Sequence, residues 1–84
     1  MATNRRLITK FFLELYGFEY DKEGGYWLKR FSSPSAYLWY VFKYYWKERK
    51  LEAFNYDCVG NVQSRYTIED EAKIRKEIIN HHYA

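Results

Sequence analysis

Cysteine occurs once in the 84 residues, at Cys58, and proline once, at Pro34. A single thiol cannot close an internal disulfide, and small secreted domains usually need several, so a reducing, cytoplasmic setting is expected. No apolar run approaches the roughly 20 residues of a membrane span, and the first residues lack the order of a secretory signal. No membrane partner is expected. Histidine is almost as scarce. His81 and His82 lie side by side in a C-terminal stretch, residues 80–84, expected to fray, where neither can be held as a general base or metal ligand. Cys58 has no cation next to it and reads as a small buried hydrophobe, and metal-ligand spacing of the CxxC or HxxxH kind is absent. Gly24-Gly25 lacks the lysine-serine pair and following helix of a phosphate loop. No cofactor and no enzymatic activity are expected.

What is abundant is aromatic: ten Tyr, six Phe and three Trp. Each such side chain removes about 150 to 250 Å² from water when buried, enough for the core of one small globular domain, residues 1–84. A domain of this size hides only roughly 60% of the surface its unfolded chain exposes, so some of these rings must lie at the surface or at a contact. Fourteen Lys and Arg against 11 Asp and Glu leave a net charge of +3. Phe, Tyr, Met, Ile, Asn and Lys together number 34, against 16 for Gly, Ala, Arg and Pro, a bias that marks A+T-rich coding DNA.

Along the chain, residues 4–16 place Leu7, Ile8, Phe11, Phe12, Leu15 and Tyr16 at steps of three and four. This spacing predicts a helix with one apolar stripe, capped by Thr3 or Asn4 and stopped by Gly17. Strands are expected at 18–22 and 26–31, joined through Glu23-Gly24-Gly25. In the second, Tyr26, Leu28 and Arg30 share one face and Trp27, Lys29 and Phe31 the other, so the register is only loosely specified. Ser33-Pro34 could open a helix running to about residue 50. The run 37–46 is instead rich in strand formers and alternates on Leu38, Tyr40, Phe42, Tyr44 and Trp46, which favours a strand. Residues 47–50 then form a charged turn, 51–57 a partner strand, and 62–66 a short fifth strand after a turn at Gly60. Thr67 is expected to cap a final helix, with Glu69, Asp70 and Glu71 in its first turn and Ile68, Ala72, Ile74, Ile78 and Ile79 as its apolar stripe. The acidic triplet is explained by that position, not by cation binding. The expected fold is α+β, an antiparallel sheet of four to five strands between two terminal helices in the order α-β-β-β-β-α, with both helices on one sheet face.

If the even positions of residues 37–46 face the helices, Trp39, Val41 and Tyr45 point to the far side, with Trp27 expected beside them. Basic residues follow at Lys43, Lys47, Arg49 and Lys50. An apolar aromatic patch on an uncovered face calls for a partner. Tyr, Trp and Arg dominate protein-binding hot spots, so Trp27, Trp39, Lys43, Tyr45, Lys47, Arg49 and Lys50 are the candidate docking residues for a protein or nucleoprotein. Rings beside cations can also stack on bases and neutralise phosphates, which makes single-stranded RNA or DNA an alternative ligand. A homodimer hiding the patch is a third. The small size, the lack of catalytic equipment and the coding bias resemble accessory proteins of phages and mobile elements, among them inhibitors of host defence nucleoproteins such as anti-CRISPR proteins. That resemblance implies a non-enzymatic inhibitor acting in the host cell cytoplasm.

Overall fold

A computed structural model describes residues 7–32, 38–57 and 59–82 of the chain. Its elements are α1 (Lys10–Leu15), β1 (Glu19–Asp21), β2 (Tyr26–Ser32), β3 (Leu38–Tyr45), β4 (Lys50–Asp57), β5 (Val62–Ile68) and α2 (Glu71–His82). The strands form one antiparallel meander, β1-β2-β3-β4-β5, so the fold is α+β as expected, with the full complement of five strands. The ambiguous run after the proline is strand rather than helix. Its bulky, β-branched and aromatic side chains pair on both sides, with Trp27 opposite Tyr44 on β2 and Leu51 opposite Tyr44 on β4.

The first helix is shorter than its periodicity suggested. Thr9, extended at φ −114° and ψ 164°, accepts a bond from the Phe12 amide at 3.0 Å and caps a helix of six residues. The expected caps Thr3 and Asn4 lie outside the described residues. Gly17, at φ 87°, ends the helix as anticipated, in a left-handed conformation that any side chain would strain. Only part of the expected stripe faces inward. Ile8, Phe12 and Leu13 are buried, whereas Leu7, Phe11 and Leu15 are exposed. Ile8, one residue before the cap, is fixed by its amide, which donates to a Glu71 carboxylate oxygen at 3.2 Å.

Asp21 organises the first hairpin by accepting bonds from the Glu23 and Gly24 amides at 3.0 and 3.1 Å, and Gly25 takes φ 74°. At the far end of the sheet Asp57 plays the same part, accepting from Val59 at 3.0 Å and Asn61 at 2.9 Å. These turn amides hold both carboxyls below the usual carboxylate range.

The final helix starts later than expected. Thr67 pairs with Glu52 and Ile68 with Leu51, so both belong to β5 rather than to a helix cap. Asp70 is the cap, its carboxylate accepting from the Lys73 amide at 3.2 Å, and only Glu71 of the acidic triplet lies in the first turn. Sheet pairing wins here because two more strand residues gain a ladder partner while Asp70 can still satisfy the helix N-terminus. Ile74 and Ile78 are fully buried and Ile79 partly so, but Ala72 is exposed. Contrary to the expected fraying, α2 continues through His82, because His81 packs edge-on against Phe42 and Tyr40 at 5.2 and 5.5 Å. Both helices cover the same sheet face, and Phe18, Trp27, Phe42, Tyr44, Leu51 and Ala53 meet them there to form the core. Each large apolar side chain so buried contributes about 1.5 to 3 kcal/mol. Residues 33–37, Cys58 and residues 83–84 lie outside the described residues.

Candidate functional site

Alternation along the strands fixes what the other sheet face carries. On β3 Phe42 and Tyr44 go to the core, and Trp39, Val41, Lys43 and Tyr45, of the opposite parity, therefore point outward. The register sets Leu28 and Glu52 on either side of Lys43, Arg30 and Phe54 on either side of Val41, and Tyr56 beside Trp39. Lys50 stands opposite Tyr45, and Arg65 of β5 opposite Phe54. Among the described residues no helix lies over this face, since α1 and α2 contribute to the core on the other side.

Lys43 is its centre. The ammonium lies 4.9 Å from the Tyr26 ring centroid and 5.1 Å from that of Phe54, held between two electron-rich ring faces. Lys50 sits 5.2 Å from the Tyr45 ring, and Tyr45 leans on Tyr26 at 5.6 Å. The Tyr45 hydroxyl donates to Glu52 Oε1 at 2.8 Å. Burial, together with that carboxylate, pushes the phenol up to about 12, so it stays a hydrogen-bond donor at any physiological pH. Phe54 and Tyr56 stack at 6.2 Å with their planes 26° apart. Trp39, at the β2-to-β3 end of the strand, remains 50% exposed.

Four of the seven residues singled out in the sequence thus meet on one surface: Trp39, Lys43, Tyr45 and Lys50. Trp27 does not join them. It pairs with Tyr44, lies on the helix-covered face and is only 8% exposed, because Tyr26 and not Trp27 has the outward parity on β2. Arg49 also turns away. It takes a left-handed φ of 55° in the β3–β4 turn, donates to the Ile8 carbonyl at 2.9 Å and pairs with the Glu71 carboxylate, which makes it a brace between the turn, the segment leading into α1, and α2. Lys47 projects from the same turn and is exposed. Tyr26, Phe54, Tyr56 and Arg65 are members that sequence reasoning missed. The even-numbered alternation Lys50, Glu52, Phe54, Tyr56 could have found the β4 members once β3 and β4 were paired.

No family model, curated protein or solved structure matches this chain. Function is therefore read from the side chains themselves. Among the described residues, no three His, Cys, Asp or Glu side chains gather as a metal site would require, and no helix is long and apolar enough to cross a membrane. What the face can do chemically is present aromatic rings and cations held in register on a paired sheet.

Proposed function

We propose that this chain is a non-enzymatic binding protein whose outer sheet face docks on a host protein or nucleoprotein, as an inhibitor encoded by a phage or mobile element would. The observation that carries the reading is the face that no helix among the described residues covers: Trp39 half exposed, beside Tyr56 and Phe54, with Lys43, Lys50, Arg30 and Arg65 distributed around it. Rigid aromatics surrounded by cations are the residue types that concentrate binding energy at protein interfaces. The lysines also favour protein over bare nucleic acid. Lys43 and Lys50 already cover ring faces of Tyr26, Phe54 and Tyr45, so bases would have to displace cations in order to stack there. A protein target needs no such displacement. Acidic side chains can meet the ammonium groups where they stand, while Trp39 fills a pocket.

A photo-crosslinking residue at position 39, and another at position 11 on α1, tests this in the cells the chain comes from. The expected result is a covalent adduct with one target from position 39 and none from position 11. With that target purified, Trp39→Ala should weaken binding by about thirtyfold or more, as at an interface hot spot. Unchanged affinity would overturn the reading. Steeply salt-dependent binding of a mixed-sequence oligonucleotide that is lost with Trp39→Ala would replace it with single-strand recognition, and a dimeric mass abolished by the same substitution would replace it with self-association.

A further inference from the structure

The residues that the outer face does not use line a second feature. Trp27, Tyr20, Trp46 and Lys47 meet Lys10 of α1 and Glu48 in a cleft of about 480 Å³, between the β1–β2 hairpin, the β3–β4 turn and the start of α1. This volume lies within the range of small-molecule sites, roughly 300 to 1,000 Å³. Its walls are aromatic, with the Tyr20 and Trp27 rings 5.5 Å apart and inclined at 59°. Its charged groups are two ammoniums and one carboxylate.

That donor set selects a ligand class. A cation is disfavoured, because the Lys10 ammonium already stands 5.4 Å from the Trp46 ring centroid, the position a quaternary ammonium takes in an aromatic cage, with the Arg49 guanidinium 4.6 Å from the same ring. A purely apolar ligand would use none of the charged groups at the rim, and a small inorganic anion would leave the aromatic walls without a contact. A planar ring that carries an anionic group satisfies both. Glu48, which can only accept hydrogen bonds, adds the requirement for a donor such as an exocyclic amine or a sugar hydroxyl. We propose that this cleft binds a nucleotide, its base against Trp27 and Tyr20, whose rings carry no such cation among the described residues, its phosphate between Lys10 and Lys47, and an amine or hydroxyl on Glu48. The site is separate from the docking face, since Trp27 points to the opposite side of the sheet from Trp39.

The two sources of such a group are a free nucleotide and the 5′-phosphorylated end of a strand. The full chain carrying Trp39→Phe keeps only Trp27 and Trp46 as indole reporters, and its fluorescence can be titrated with AMP, CMP, adenosine, inorganic phosphate and a short oligonucleotide with or without a 5′-phosphate. Saturable quenching by the nucleotides is expected, with adenosine weaker by about tenfold or more, as loss of a charge-assisted contact implies. The double variant Lys10→Glu with Lys47→Glu should lose at least about tenfold while its amide NMR spectrum remains that of a folded chain. Binding of the phosphorylated oligonucleotide in preference to AMP would assign the strand end, and the reverse order the free nucleotide. The proposal is overturned by any of three results: no saturable quenching by any nucleotide up to about 5 mM, full affinity in the charge-reversed variant, or inorganic phosphate binding as tightly as AMP.

Discussion

At the residue scale, side chains of similar apolar character have opposite roles. Ile74 is fully buried against the sheet, whereas Phe11 on α1 is 73% exposed although it is the larger of the two. Ile74→Ala should therefore cost about 3 kcal/mol through lost transfer energy and the cavity left behind, measured by urea unfolding. Phe11→Ser should stay within about 0.5 kcal/mol of the parent in the same assay. Tyr45 makes a pH-dependent contribution. Burial and the Glu52 carboxylate raise its phenol to about 12, and burial beside Glu77 raises Tyr66 in the same direction. The folded chain thus holds these protons more tightly than the unfolded chain, in which a tyrosine ionises near about 10. Their stabilisation is complete below about pH 10 and is lost as the pH climbs towards about 12. The urea midpoint should fall across that window, and Tyr45→Phe with Tyr66→Phe should flatten the fall. A midpoint equally steep in the double variant would assign the loss to other groups.

At the element scale, the β3–β4 turn is tied to α2 and to the segment leading into α1 by a single side chain. Arg49 reaches the Ile8 carbonyl and the Glu71 carboxylate, lies 4.6 Å over Trp46, and accepts a left-handed backbone to do so. Glu71 in turn receives the Ile8 amide, so one carboxylate and one guanidinium join the segment leading into α1, α2 and the turn. A double-mutant cycle of Arg49→Ala with Glu71→Ala should give a coupling energy of about 1 kcal/mol, at the top of the usual range for exposed pairs because both side chains are half-buried. This brace is also what takes Arg49 away from the docking face that the basic cluster suggests. The charges of residues 47–50 are visible in the sequence, but a turn sends successive residues in different directions, and only the backbone conformation tells which of them points inward.

For the molecule as a whole, the meander makes each strand's stability depend on its position. β3 is paired along most of its length on both sides, whereas β1 is a three-residue edge and β5 an exposed one. Hydrogen exchange should follow that order. Amides in the middle of β3 and β4 should exchange only on global unfolding, and those of β1 and the outer edge of β5 through local opening. Uniform protection across the sheet would show a more cooperative unit than the pairing implies. The same topology separates two surfaces. Helices and core occupy one side, the aromatic and basic face the other, and the nucleotide-sized cleft opens at the end of the sheet, so substitutions at Trp39 and at Lys47 should act independently.

The sequence by itself determined the elements and their alternation, because both are local. Strand-forming residues at 38–45 with core residues on even numbers, Gly17 as a helix stop, and a surplus of rings that no small core can absorb all follow from neighbours a few positions apart. Only the tertiary structure decided which rings were surplus. Whether Tyr26 or Trp27 joined the outer array rested on the one-residue parity between β2 and β3, and every side chain of a strand changes face together when that register shifts by one.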